Sequence, residues 1–367
     1  MASIRKIHRH PKGGQAQWSW EIRYRDPEGR MRQKTFPTKP EAQRFARTVE
    51  VDKDTGRYVD PRLGKVQFSE WAERWNEAKP AKKATTQDTR RRLLDRHILP
   101  AFGSKQLGRI RPIDVQEFVT SLEASGLSAS RIRNAYFVLK PCIEAAVGSG
   151  YIARTPCVGI ELPRPHSREM KFLSAEQVRA VADAVPERDR SLIYVLALGG
   201  LRWSEAVALR RRRVNLLHRR IEVAQAVVEV NGKLVFGEPK TYQHRSVAMP
   251  TFLKTLLVEY LRTYVPLDPD AFVFSTRSGD LLRSPNWRQR VWQPALQAAG
   301  VPTSIRIHDL RHTCASLLIE QGAHPKAIQE HLGHKSITTT LDRYGHLLPQ
   351  ESSRIAEALD RSFAAGE

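Results

Sequence analysis

Residues 307–346 read IHDLRHTCASLLIEQGAHPKAIQEHLGHKSITTTLDRYGH, and the rest of the chain is best read outward from them. Leu310, Cys314, Leu317 and Leu318 recur at helical spacing, which predicts a helix with one apolar face. His308 and Arg311 stand three residues apart and leave that helix side by side. Gln321-Gly322 ends it, Pro325 opens a second helix, and Leu332-Gly333 stops that one, which puts His334 on a turn. Tyr344 follows ten residues later, beyond a Thr-rich, β-branched run. A guanidinium grips two phosphate oxygens at once, an imidazole donates to a third or moves a proton, and a phenol can attack phosphorus. Taken singly, a helical His is usually structural and a Tyr usually packs. The set gains its meaning from the remainder of the chain.

At 367 residues two or three domains are expected. A formal net charge of +21 repels itself unless a polyanion neutralises it, so nucleic acid is the expected partner and an anionic membrane the rival. There is no apolar run of about eighteen residues, and the N-terminal MASIRKIHRHPKG lacks the hydrophobic core of a signal peptide. A cytoplasmic protein without membrane attachment is therefore expected. Cys142, Cys157 and Cys314 form no CxxC pair, which argues against a disulfide framework or a cysteine zinc site and for buried, reduced thiols.

From the N-terminus, Trp18, Trp20, Ile22 and Tyr24 alternate with Ser19, Glu21, Arg23 and Arg25, as in a half-buried strand. The turn Asp26-Pro27-Glu28-Gly29 leads to a second strand, Arg30 to Phe36, expected to add Arg32 and Lys34 to the polar side. Thr38 with Glu41 then caps a helix running toward Gly56. Residues 1–60 hold 14 Lys and Arg against 8 Asp and Glu, so a basic sheet face could lie in a DNA groove. After a linker at Gly56–Lys65, helical periodicity reaches about Gly150, with helices over Phe68–Glu77, Thr86–Ile98, Arg111–Ser125 and Ser128–Val147. Arg90 and Arg91 on one of them, and Arg131 and Arg133 on another, are expected phosphate contacts, the alternative being an ordinary solvated face.

Pro163 to Arg168 reads as a second linker, and Ser174 with Gln177 caps a new helix. The apolar run Ser191–Leu198 breaks at Gly199-Gly200, so Arg202 sits where a helix restarts. Arg220 to Phe236 reads as a hairpin around Asn231-Gly232, and Ser246 to Met249 as a further strand. Lys240 falls on a turn between them, where a lysine is ordinarily inert.

The ordered motifs GLRWSE from 200, PKT from 239, HDLRHT from 308, LGH from 332 and Tyr344 followed by Gly345-His346 resemble the tyrosine recombinase, or phage integrase, family. The resemblance implies a multidomain α+β chain: a small β-sheet plus helix at 1–60 like an arm-type DNA-binding domain, an all-α core-binding domain at 66–160, and a mainly α catalytic domain with a small antiparallel sheet at 171–367. It implies Arg202 and Arg311 as phosphate clamps, Lys240 as acid for the leaving group, His308 and His334 as hydrogen-bond or proton-transfer partners, and Tyr344 as nucleophile. His308 is the expected base. It implies double-stranded DNA with core and arm attachment sites as partner, no cofactor and no metal. It also implies a homotetramer on DNA through the tail bearing Ile355, Leu359 and Phe363. A directionality factor and a host DNA-bending protein are the accessory partners it would allow. Two other readings compete. A metallohydrolase would use His308, His312, His331 and His334, but the HExxH order fails at Asp309 and Leu310. A DNA-binding regulator derived from a recombinase would have lost catalytic groups, whereas every expected group is present.

Overall fold

The computed structural model describes residues 2–9, 17–54, 58, 60, 62–79, 83–165, 169–238 and 244–347. It divides into two compact units, 1–167 and 168–367. The fold is a mixture of many helices with small antiparallel sheets. Among the described residues no helix is long and apolar enough to cross a membrane.

In the first unit, strands Ser3–Arg9, Gln17–Arg25 and Met31–Phe36 form an antiparallel sheet in chain order. The first strand carries too few apolar residues to announce itself by pattern. The helix Lys39–Asp54 covers one sheet face, where Ile22, Tyr24, Ala42, Ala46 and Val49 make a small core. The register corrects the expected polar face. Lys34 pairs with Ile22 and Arg32 with Tyr24, and paired residues on neighbouring strands share a side. Arg32 and Lys34 thus project on the covered side, opposite Arg23.

The rest of this unit is helical, over Phe68–Ala78, Ala84–Leu93, Pro112–Ala124 and Ala129–Gly148. The run expected to continue to Ile98 does so through a wider turn, Leu94–Ile98, before a short helix Leu99–Phe102. Phe68, Trp71, Trp75, Phe102, Phe118 and Leu139 fill a core separate from that of the sheet. Trp71 keeps its indole N–H satisfied there by donating to the Cys142 carbonyl at 2.8 Å.

The second unit opens with the expected capping box, in which Gln177 N–H donates to Ser174 Oγ and Ser174 N–H to Gln177 Oε1. Helices Ala175–Ala184, Glu187–Leu198, Thr251–Tyr264 and Asp309–Glu320 pack together, with Leu192, Val195, Leu253, Leu257 and Leu310 in one main core. Arg220–Val223 does not join the expected hairpin. It pairs with Val214–Asn215 and Arg245–Ala248, which sends Ile221, Val223 and Val247 into that core. The hairpin itself runs Ala226–Val230 to Lys233–Gly237, and Asn231 and Gly232 both take positive φ, as a type I′ turn requires.

A smaller core of Cys314, Ala315, Ile319, Ile328, Leu332 and Tyr344 lies at the end of the chain as described. The Thr-rich run that precedes Tyr344 is helical, Ile337–Tyr344, because Ser336 accepts from Thr338 N–H as its cap and Tyr344 anchors the last turn in the small core. Local β propensity yields to packing there.

Candidate active site

Three turns converge on the second unit's site. The first follows Glu187–Leu198, where Gly200 has φ +61 and a Cβ would stand 2.6 Å from Leu332 Cδ2 and 3.1 Å from Cys314 Sγ. Only glycine lets the Arg202 turn press so close to the Leu332 turn. The second is that Leu332 turn itself, closed by Gly333 in the left-handed conformation with a Cβ position 2.7 Å from Arg245 Cδ. The third is the start of Asp309–Glu320, where His308 stands at the cap position.

Arg311 joins the first two. It is 2% exposed, and its guanidinium donates to Gly200 O and to Leu332 O, each at 2.5 Å. No carboxylate pairs with it among the described residues. Burial, then the charges of Arg202 and Arg245, push its pKa down from 12.5 to about 9, so it stays a cation at neutral pH.

Arg202 caps the short helix Trp203–Ala206 and is tied to Glu205 twice, by its backbone N–H at 3.0 Å and by Nη1 at 2.7 Å. Glu205 is fully buried and also takes Arg245, Nη2 at 2.7 Å and Nη1 at 3.2 Å. Burial alone would raise its pKa, but the Arg245 hydrogen bond and the charges of Arg245 and Arg202 win and hold it near 2. Arg245 Nε also donates to His331 O at 3.2 Å, so one buried guanidinium links the Arg202 turn, its own strand and the Leu332 turn. Glu205 and Arg245 were missed from sequence. Glu205 stands three residues after Arg202, where its carboxylate reaches back to the Arg202 N–H, whereas nothing adjacent in sequence marks Arg245.

Tyr344 is 1% exposed. Its Oη lies 2.7 Å from His312 Nδ1, and its ring stacks with that of His334, 13° from parallel at 6.3 Å. His334 is buried and its Nδ1 is 2.9 Å from Thr340 Oγ1. Burial raises the Tyr344 pKa above 10, partly offset by Arg311 and Arg343. His308 meets the edge of the His312 ring at 4.9 Å but makes no hydrogen bond to Tyr344. His308 itself is exposed. Three imidazoles are driven down, first by desolvation: His308 to about 4, with His312, Arg311 and Arg202 adding repulsion; His312 to about 4; and His334 to about 3, with Arg311 and Arg202 adding theirs. All are neutral at pH 7.

The structure thus brings Arg202, His308, Arg311, His334 and Tyr344 together, with His312 in the position against the phenol that was expected of His308. Lys240 and the tail residues Ile355, Leu359 and Phe363 lie outside the described residues. The expected DNA contacts divide. Arg32 is spent on Asp26 at 2.9 Å and Asp60 at 2.5 Å, and Lys34 lies over the Phe45 and Phe36 rings. Arg90 is turned inward, donating to Asn76 Oδ1 and Lys79 O and covering Trp75. Internal partners stand in place of a phosphate for Arg32 and Arg90, which corrects the expectation for these two, whereas Lys34 is exposed beside its rings. Arg23 shares Glu21 with Arg5, Arg25 donates to Gly29 O, and Arg91 pairs with Glu73 and Asp95, all partly exposed. Arg131 is exposed, and Arg133 lies over Phe137.

Residues 171–351 match the model of the phage integrase family, and 67–122 that of the phage integrase N-terminal SAM-like domain. The chain belongs to the phage integrase family of tyrosine recombinases. It is 27% identical over 355 residues to a putative prophage phiRv2 integrase of Mycobacterium tuberculosis, covering 93% of this chain and 92% of that one. The ICEBs1 integrase of Bacillus subtilis is 26% identical over 73% of this chain and 75% of its own length. In fold, the chain is similar to the Tn1549 transposon integrase in complex with a circular intermediate DNA, with TM-score 0.70, 20% identity, and 80% of this chain and 99% of that chain covered. It is also similar to a lambda integrase tetramer bound to a Holliday junction, with TM-score 0.59, 16% identity, and 86% and 94% covered.

Proposed function

We propose that this chain is a site-specific DNA recombinase, an integrase that cleaves and rejoins DNA through a covalent 3′-phosphotyrosyl intermediate and so integrates and excises a mobile element. The observation that carries the reading is the pocket itself. A buried tyrosine and neutral imidazoles lie beside an Arg311 that has no carboxylate partner among the described residues, and the fixed charges around them leave an excess of positive charge. A phosphodiester supplies the missing anion.

Tyr344 Oη attacks phosphorus, the P–O5′ bond breaks, and the 5′ oxygen leaves with a proton. Lys240 is assigned that proton, as the family motif implies. Negative charge grows on the non-bridging oxygens as the nucleophile arrives, so Arg202, Arg311 and His334 stabilise the transition state more than the bound ground state. Because the phosphotyrosyl link is a phosphodiester, rejoining needs no nucleotide triphosphate.

Residues 1–60 are assigned to arm sites, 66–160 to core-site DNA and 171–367 to catalysis. The exposed sheet side bearing Arg5 and Arg23, and the helix bearing Arg131 and Arg133, supply the accessible cations. A homotetramer exchanging the tails after Tyr344 is the working assembly, a reading supported by the tetrameric lambda integrase of similar fold.

The test is a nicked suicide duplex carrying the chain's own attachment site, incubated with the full chain and resolved under SDS. Wild type should give a resistant protein–DNA adduct and Tyr344→Phe none. DNA binding by wild type without an adduct would make the chain a regulator, and an adduct on the Phe variant would move the nucleophile elsewhere.

A further inference from the structure

We propose that His312, rather than His308, is the base that takes the phenolic proton of Tyr344 during strand cleavage. The inference rests on the recombinase reading and assigns one of its proton transfers. Oη of Tyr344 lies 2.7 Å from His312 Nδ1, within the range of a strong hydrogen bond, and both groups are buried. Water is therefore a poor competitor for that proton. His308 reaches His312 only edge to face, and no hydrogen bond joins it to the phenol.

Helix geometry explains why the two histidines divide the work. His308 stands exposed at the cap of Asp309–Glu320, while His312 lies one turn further in, buried and on the side facing the helix that ends at Tyr344. His312 is neutral at pH 7, because burial drives its pKa to about 4, so Nδ1 is able to accept when Nε2 carries the proton.

The step balances as follows. The Oη–H bond breaks with its proton passing to Nδ1, the Oη–P bond forms, and the P–O5′ bond breaks with that oxygen protonated by a separate acid. On rejoining, the 5′ hydroxyl attacks phosphorus and Tyr344 Oη leaves, recovering its proton from His312. Burial that keeps His312 neutral in the free protein also opposes the imidazolium, so the proton is held there only while the negative phosphoryl group of the bound DNA stands beside it.

The experiment is single-turnover cleavage of the nicked suicide duplex by the full chain, with DNA affinity measured alongside as a check on folding. His312→Ala should cleave on the order of 10² to 10⁴ slower with affinity unchanged, the usual worth of a positioned base. Added imidazole should restore its rate in proportion to concentration. His312→Gln should be as slow, since its amide can hold the phenol but cannot take the proton. A duplex with sulfur replacing the bridging 5′ oxygen, whose leaving group needs no proton, should leave the defect in place. Cleavage by His312→Gln within about threefold of wild type would overturn the assignment, as would a His312→Ala defect removed by the sulfur leaving group. Wild type giving no adduct would sink the recombinase reading and this assignment together, whereas an active wild type with an indifferent His312 sinks this one alone.

Discussion

Replacing Arg245 by Met tests whether the pocket's turns are held together by one buried guanidinium. Arg245 is 7% exposed in its side chain and Glu205 is 0%, so their ion pair is dry, and the Met side chain removes the charge while filling much of the space. Breaking one side of a buried pair costs about 3–5 kcal/mol, because the remaining charge stays buried without its partner. Here Glu205 keeps Arg202 at 2.7 Å, which places the expected cost at the lower end, about 3 kcal/mol. For a unit of the size of 168–367 this is a fall in melting temperature of roughly 6–12 °C. The assay is thermal denaturation of the full chain, followed in parallel for Arg245→Met, Glu205→Met and the double variant. Removing both charges leaves Arg202, whose side chain is 19% exposed, free to turn to water, so the double variant should be more stable than the sum of the singles by about 0.5–3 kcal/mol. A fall of less than about 2 °C for Arg245→Met, or strictly additive singles, would refute the reasoning, since both require the pair to contribute nothing.

Two further outcomes follow from the placement of other charges. Arg90→Ala should lower the stability of the helical region, where it loses its bonds to Asn76 and Lys79, and leave the salt dependence of DNA binding unchanged, whereas Arg131→Ala should lower the slope of log K against log salt by about 0.9 at little cost in stability; filter binding across a salt series with a parallel melt separates the two. Lowering the pH should destabilise the second unit in two stages. His312 and His334 have folded pKa values near 4 and 3 against 6.5 unfolded, so the unfolded chain binds more protons and stability falls as the pH drops below 6.5. Below about 4.5 Glu205, held near 2 when folded, adds a second loss of the same sign. Urea midpoints between pH 7 and 4 read the first stage, and a flat profile between 6.5 and 5 would contradict the burial of the two imidazoles.

Arg202, His308, Arg311 and His334 were legible because each falls on a helix start or a glycine turn, and such punctuation is local in sequence. Pairing was not. Alternation marked Trp20, Ile22 and Tyr24 as one face, but the partners of those residues depend on how the Asp26–Gly29 turn closes, and that closure carried Arg32 and Lys34 to the core side. Arg90 looked like one more surface cation, since only the folded chain brings Asn76 and Trp75 under it. The helix before Tyr344 was hidden by its threonines, whose intrinsic preference is overruled by a cap and an anchoring aromatic. His312 gave no signal distinct from that of a structural helical histidine. Its meaning comes from a contact across 32 residues of sequence.

The electrostatics of the pocket connect these parts. Among the described residues three arginines, Arg202, Arg245 and Arg311, face the Glu205 carboxylate, while the neighbouring imidazoles are neutral. The folded unit therefore holds a desolvated cation in Arg311 whose hydrogen bonds go to carbonyl dipoles alone. An arriving phosphodiester compensates that charge, so binding and folding of the pocket are linked: whatever stability the uncompensated guanidinium takes from the free protein is returned as affinity for an anion. The same burial that strains Arg311 disfavours ionisation of Tyr344 in the absence of DNA. A phosphate at Arg311 leaves the phenol protonated until Oη begins to bond to phosphorus, when the growing charge falls on atoms the arginines already face. The nucleophile is thus restrained and activated by one arrangement of charges, and its proton needs an acceptor within reach, which the geometry provides in His312.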